Sequence, residues 1–513
     1  MNEFYLSWIG IAIHFSLMLF GLVVGLIVFA IIVLFLLDIT QTKDAIRKNY
    51  PVIGRFRTIF LKLGEFFRQY FFAMDREEMP FNRAERDWVK RATYDSDNTA
   101  AFGSTKDLSL PGTAIFVNCP FPTLDEDAVE MQPMEIGPYC RQPYIAKSFF
   151  NISAMSYGSL STPAIRALSK GAYIAGCWLN TGEGGLSPYH LEGGCDLVMQ
   201  IGTAKYGVRN ENGNLDDDKL KEVAAYEQVR MFELKMSQGA KPGKGGILPG
   251  IKVTPEIAKI RGIPAGQDSI SPNRHPEINN ASEMLDMICH IRNITGKPAG
   301  FKAVIGGIGW LEQMCLEIHK RGVENAPDFI TIDSGDGGTG ASPMPLMDNV
   351  GLLVKESLPM VVDTMQKYGL RNRIKIIASG KLITPAEVAY AISAGADFVN
   401  SARGFMFSLG CIQAMRCNKN TCPTGVTTHK KHLQKGLNPE DKAVKVANYC
   451  KNIIHEVQMI SHSCGVTRPR LLKRKHVRIV QDSGKTTPMD VLYPPVEILP
   501  EYCDLGNKPL TLD

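Results

Sequence analysis

A chain of 513 residues is too long for one small module, and its net charge of +5 is too even to suggest nucleic acid as a partner. Lysine plus arginine (57) nearly balances aspartate plus glutamate (52), and no basic repeat carries interleaved aromatics. Twelve cysteines form no regular framework, so a reducing compartment is expected rather than a disulfide scaffold.

The first element is apolar. From Trp8 to Leu37 the chain carries one histidine, His14, and no full charge. Roughly 20 apolar residues cross a bilayer, so the run is long enough to span with tilt. Only Glu3 precedes it, and no small-residue cleavage site comes after it, which argues against a removed leader. Lys43, Arg47, Lys48, Arg55, Arg57 and Lys62 come next. The positive-inside rule then predicts a single-pass anchor, residues 1–38, in the inner (cytoplasmic) membrane, with everything after Asp38 in the cytoplasm. His14 is expected to face the interface. Residues 39–110 read as an amphipathic helix and connector. Ile53, Phe56, Phe60, Leu63, Phe67 and Tyr70 recur at helical spacing, between Pro51 and Pro80. That helix either lies on the membrane or docks on the globular domain.

Short apolar runs then alternate with helix-like stretches. The strand candidates are Phe149–Ser156, Cys177–Thr181, Asp196–Ile201, Glu233–Ser237, Gly300–Ile305, Phe329–Asp333, Ile374–Ser379 and Phe398–Ala402. Helical patterns include Pro163–Ala175, Leu220–Arg230, Glu283–Ile294, Leu311–Arg321, Val350–Tyr368 and Pro385–Ala394. Eight strands with intervening helices predict an α/β fold, a (β/α)8 TIM barrel over residues 111–432, with an open doubly wound sheet as the alternative. Residues 433–513 read as a C-terminal helical extension.

Nearly every glycine-rich or polar signature falls at the end of a strand candidate, which is where barrels place their active sites. Gly380 and Ala402-Arg403-Gly404 come after strands seven and eight, a common phosphate position. Three cysteines, Cys411, Cys417 and Cys422, lie just beyond in CIQAMRCNKNTCPTG. Their spacing suits a soft metal, and three ligands point to a [3Fe–4S] cluster or to a cluster with one iron held from elsewhere; zinc, which normally takes four ligands in a structural site, and plain packing are the alternatives. A phosphate-bearing cofactor beside a one-electron cluster suggests a flavin.

The stretches SAMSYGSLS (153–161), NTGEGG (180–185), QGAKPGKGGILPG (238–250), GDGGTGASP (335–343) and CIQAMRCNKNTCPTGVTT (411–428) together resemble the FMN-binding barrel of the glutamate synthase large subunit. The resemblance implies FMN in the barrel mouth, held by Ala154, Met155, Ser156, Thr181, Gln200, Lys302, Asp336, Gly337, Gly338, Gly380, Ala402 and Arg403. It implies a [3Fe–4S] cluster on Cys411, Cys417 and Cys422. It also implies reduction of 2-iminoglutarate, with Lys241 and Arg261 on the carboxylates and Glu183 and Lys241 as the catalytic pair. Two cations suit a small dicarboxylate. The plain alternatives are a solvated Lys241 and an Arg261 paired with Glu256 or another surface acid.

The departures bear on substrate. Lys244 and Ile247 stand where the family has glutamate and glutamine. The family's amidotransferase domain has an apolar anchor in its place, and its C-terminal β-helix does not fit after Thr428, so the chain resembles stand-alone members. Ammonia is then expected from solution. Electrons are expected from ferredoxin or a separate reductase, since no second nucleotide fingerprint is present. The oligomeric state, homo-oligomer included, is left open. The alternative readings are a membrane-linked flavin dehydrogenase oxidising a small acid or amine, and a non-catalytic flavin-bearing scaffold or sensor.

Overall fold

The computed structural model describes residues 2–41 and 44–503; Lys43, one of the cations after the apolar run, lies outside them. The chain divides into two units, one ending at Ala84 and one beginning at Glu85.

In the first unit α1 (Asn2–Thr40) contains the apolar stretch, and Trp8–Thr40 is long and apolar enough to cross a membrane. Its large side chains, Phe15, Phe20 and Phe29 among them, are exposed. Asp38 ends the apolar run and is fully buried. Its carboxylate accepts from Arg47 (2.7 Å), Arg55 (2.8 Å) and the Val52 amide (3.0 Å), so the chain turns on one charge. After the turn, α2 (Gly54–Phe67) runs into a wider-turn segment, Arg68–Phe72. Ile53, Phe56, Phe60, Leu63, Phe67 and Tyr70 are all exposed along it.

The second unit is a closed parallel barrel. Its strands are β1 (Phe150–Ile152), β2 (Leu179–Asn180), β3 (Leu197–Ile201), β4 (Val229–Lys235), β5 (Ala299–Val304), β6 (Phe329–Asp333), β7 (Lys375–Ser379) and β8 (Phe398–Ser401). Each pairs with the next, and β8 returns to β1, with Asn400 opposite Asn151. The expected barrel, rather than an open sheet, is therefore what forms. Several boundaries differ from the sequence reading: β2 is only Leu179–Asn180 rather than Cys177–Thr181, and the larger shifts are in β1 and β4. β1 stops at Ile152 because Ser153–Ser156 leave the ladder to form the rim. β4 begins at Val229, four residues before the expected Glu233, because the preceding helix stops at Ala225 and Val229 and Met231 turn into the core.

Four helices matter for the site. They are α3 (Thr162–Ala175), α4 (Pro255–Arg261), α5 (Pro385–Ser393) and α6 (Pro439–Ser463). Helix α6 packs on both α3 and α5 and so supplies the outer helix after β8. The N-terminal end of the barrel is plugged by an antiparallel hairpin, Met134–Ile136 with Tyr144–Ala146. Ile136, Tyr144 and Ala146 pack with Trp178, Phe329 and Phe398 at the strand starts. That end is closed by hydrophobic side chains, which leaves the C-terminal rim for chemistry.

Candidate active site

The barrel interior beneath the rim is polar. Glu233 on β4 is buried and accepts from Asn180 (2.8 Å), Gln200 (2.7 Å) and Thr331 (2.6 Å). Four strands are thereby cross-linked through one carboxylate, and the Gln200 amide is held in place. One layer up, Lys302 on β5 pairs with Asp333 on β6 at 3.1 Å. Burial alone would discharge both. The Asp333 and Glu233 charges outweigh it for Lys302 and hold its pKa above the usual lysine value. Asp333 is likewise held low by Lys302 and by the Gly239 amide, which donates to it at 2.9 Å.

The rim turns meet at distances that exclude side chains. A Cβ on Gly182 would lie 2.7 Å from the Ser156 amide nitrogen, so the loop after β2 packs against the loop that holds Ala154, Met155 and Ser156. Gly380, at φ +116°, would place a Cβ 2.3 Å from that of Ser334. Gly338 is covered by the Arg403 guanidinium, 2.8 Å from where its Cβ would be. Asp336, Gly337, Gly338, Gly380, Ala402 and Arg403 thus form one patch after β6, β7 and β8; Gln200 and Lys302 stand on β3 and β5, and Thr181 comes just after β2. Close backbone approach with cations at one edge fits a flat group bearing a phosphate. Lys381, 2.9 Å from Asp336, is a further cation in this patch that the sequence reading missed. The SGK tripeptide after β7 was its signal.

The long loop after β4 builds the second half. Ala240 donates to the Gly335 carbonyl at 2.8 Å and Gly239 packs on Ser334, which ties this loop to the one after β6. Ile247–Leu248 pairs with Ser269–Ile270, and α4 lies between them, capped by Thr254. Lys241, Arg261 and Glu183 are brought together here. Lys241 is buried, and burial together with the nearby Lys235 charge pushes its ammonium down to about 8. Arg261, at the end of α4, stacks on Tyr206 at 5.1 Å and donates to Ser269 (3.1 Å) and to the Tyr157 carbonyl (3.4 Å). Its Nε is buried with no acceptor, and burial pushes the group below its usual value. Burial also acts on Glu183, but Lys235, Lys241 and Arg261 outweigh it and keep the carboxyl below its ordinary range.

Two plainer expectations fail at this point. Lys241 is not a solvated loop lysine. Glu256 does not take Arg261, because its oxygens accept from Tyr157 (2.5 Å) and Tyr189 (2.7 Å). Among the described residues no carboxylate lies within ion-pair distance of Lys241 or Arg261. Lys235, 3.0 Å from Glu183, belongs to the same pocket and was missed; alternation along β4 points it to the same side as Glu233. Ile247 and Lys244 are both exposed at the loop edge.

Cys411, Cys417 and Cys422 lie in the loop after β8. Burial pushes Cys411 up to about 12 and raises Cys417. Cys422 goes the other way, since hydrogen bonds from Thr424 and Thr427 outweigh its burial. The Cys417 and Cys422 charges act on Cys411, and that of Cys422 acts on Cys417. Among the described residues, no three histidine, cysteine or acidic side chains converge as a single ion requires. A cluster asks for something else, one thiolate on each of several irons, and a three-thiol set in one loop fits that chemistry.

The fold and site together define a (β/α)8 barrel with a cofactor-shaped rim and a cationic pocket on the loop after β4. The region conserved in glutamate synthases matches residues 122–467, and the chain belongs to the glutamate synthase family. The glutamate synthase large subunit-like protein YerD of Bacillus subtilis is 39% identical over 92% of this chain and 98% of its own length. Archaeal-type glutamate synthase [NADPH] of Thermotoga maritima is 33% identical over 67% of this chain and 63% of its own length. The enzyme of Methanocaldococcus jannaschii with a similar name is 33% identical over 64% and 61%. The chain therefore spans about three fifths of the archaeal-type relatives it matches.

Proposed function

We propose that this chain is an FMN and [3Fe–4S] oxidoreductase that reduces the imine of 2-oxoglutarate or of a similar small dicarboxylate, with electrons from ferredoxin or a separate reductase. The observation that carries the reading is the pair of buried cations, Lys241 and Arg261, with no carboxylate within ion-pair distance among the described residues, beside the anionic Glu183. A dicarboxylate supplies the missing counter-charges. FMN, when bound, supplies hydride and one-electron exchange. The rim patch at Asp336–Gly338, Gly380 and Ala402–Arg403 would hold its phosphate end. Lys302 would face its pyrimidine edge.

The chain's own residues then have separable tasks. Arg261 presents a rigid fork to one carboxylate, held by Tyr206, Ser269 and the Tyr157 carbonyl. Lys241 neutralises the other. Glu183, kept ionised by Lys235, accepts or returns a proton at the ammonia-derived nitrogen. Cys411, Cys417 and Cys422 would hold the cluster. The exposed helix Trp8–Thr40 would anchor the protein in the cytoplasmic membrane, with the barrel in the cytoplasm.

The test is cofactor analysis and then anaerobic reoxidation of the reduced enzyme by keto acids with ammonium. One FMN per chain, iron and sulfide lost in Cys417→Ser, and reoxidation by 2-oxoglutarate plus ammonium are expected. A colourless protein that takes up no FMN would sink the proposal. Bleaching of the oxidised enzyme by small acids or amines, without reoxidation by any keto acid, would reverse the direction assigned to it. Removal of residues 1–38 should release protein from membranes; unchanged sedimentation would remove the anchor from the reading.

A further inference from the structure

Lys252 is a lysine at which the substrate loop touches both of its neighbours. It ends the single turn Gly250–Lys252 and is 1% exposed. Its Nζ donates to the Ser159 carbonyl at 2.7 Å, in the loop after β1 on the cofactor side. The same Nζ donates to the Cys417 carbonyl at 3.2 Å, in the cysteine loop. The contacts around it run the same way. Asn420 donates to the Ile251 carbonyl at 3.2 Å, Ser161 donates to the Val426 carbonyl at 2.9 Å, and His429 Nε2 lies 2.8 Å from the Gly158 carbonyl. Among the described residues, Lys252 is the one cation in this seam whose amine bridges the cofactor-side loop and the cysteine loop.

Two carbonyls satisfy hydrogen bonds but not a charge. Among the described residues no carboxylate lies within ion-pair distance of Lys252. An isolated buried ammonium is costly, and a methionine would fill the same space without that cost. The groups that can become anionic and whose charges act on Lys252 are the Cys417 and Cys422 thiols, and its amine already touches the Cys417 backbone. Three thiolates around an iron–sulfur core carry net negative charge, and one-electron reduction adds one more. A fixed cation at this seam favours the reduced form.

We propose that Lys252 sets the reduction potential of the cluster held by Cys411, Cys417 and Cys422, acting as a positioning residue through its fixed charge and its two carbonyl contacts. This rests on the cluster reading given above. Electrons that cross between the cofactor-side loop and the cysteine loop then meet a seam held by one ammonium.

The experiment is an anaerobic redox titration of the full-length holoprotein monitored by EPR, with iron, sulfide and FMN measured on the same samples. Wild type is compared with Lys252→Gln and Lys252→Arg. In Lys252→Gln, the equilibrium constant for reduction of the cluster should fall at least tenfold, a 59 mV lower midpoint for one electron. FMN content should hold, and Lys252→Arg should titrate close to wild type. A Lys252→Gln protein with full iron and an unchanged midpoint overturns the proposal while leaving the cluster in place. A wild-type protein without iron and sulfide overturns the cluster reading itself, and this inference with it. If Lys252→Gln loses iron, recovery of iron in Lys252→Arg supports the need for charge; a Lys252→Arg that also lacks iron overturns it.

Discussion

The two ends of the barrel treat buried charge in opposite ways. At the N-terminal end, carboxylates that precede strands each collect an arginine. Asp328, before β6, is fully buried and takes Arg292 Nε at 3.0 Å, Arg373 Nη2 at 2.9 Å and the Ala299 amide at 2.9 Å. Asp397, before β8, takes both Nη atoms of Arg371 at 2.9 and 3.0 Å. Asp196, before β3, takes Arg230 at 2.8 Å and the Tyr144 hydroxyl at 3.1 Å. At the C-terminal rim, Lys241 and Arg261 are just as buried, yet the carboxylate beside them, Glu183, is paired with Lys235. Charge closed on itself holds a fold together. Charge left open is what a ligand of opposite charge would complete, as the proposed dicarboxylate would at Lys241 and Arg261.

The sharpest way to break this comparison is at Asp328. Asp328→Ala leaves two buried guanidinium groups facing each other, and removing one partner of such a buried group costs about 3–5 kcal/mol. Chemical denaturation of the barrel should show that loss, with no specific effect on cofactor content in the folded fraction. A midpoint within error of wild type would mean that the N-terminal end is no more closed than the rim.

Glu183→Gln tests the rim next. It keeps the shape and removes the charge proposed to accept the proton, and positioned acid–base groups contribute about 10²–10⁴-fold. The turnover rate should fall by about that factor, with apparent substrate binding altered less. Steady-state kinetics resolve the two. A raised KM at unchanged kcat would move Glu183 from proton transfer to binding.

Lys241→Ala and Arg261→Ala should each weaken apparent substrate binding about tenfold or more, the equivalent of roughly 1.5–3 kcal/mol for one charge-assisted contact. Neither should lower stability as much as Asp328→Ala does, because each removes a buried charge that has no carboxylate within ion-pair distance among the described residues. A loss of stability matching that of Asp328→Ala would show that the rim is structural after all.

The smallest expected effect is on pH. The folded pKa of Lys241, about 8, lies below its ordinary value of 10.5, so the folded state binds fewer protons than the unfolded state between these values. Its burial penalty is present in full below about 8 and is relieved as pH rises from there toward 10.5. Stability should therefore gain with pH across this window, and the gain should shrink in Lys241→Met. Substrate affinity should run the opposite way, falling above pH 8 as the ammonium discharges. Lys252 is also pushed down to about 8 and adds to the stability trend, so the difference between wild type and Lys241→Met is the quantity to measure.

Much of this was legible in the chain itself. Apolar runs of strand length alternating with helical patterns, and glycines placed after them, depend on local chemistry, so eight strands and the turns they carry could be read in order. The apolar helix and the cysteine spacing are local in the same sense. What sequence could not supply was which charges meet. Lys235 and Lys381 look like ordinary lysines until β4 and β7 bring them to the rim, and Asp328 looks like any acid before a strand until two arginines from other helices and loops reach it. Glu256 lies five residues from Arg261 on the same short helix, yet it faces Tyr157 and Tyr189 while Arg261 faces the pocket. Burial, and hence the cost of leaving a charge unpaired, is a property of packing between elements far apart in sequence, and only the closed barrel decides it.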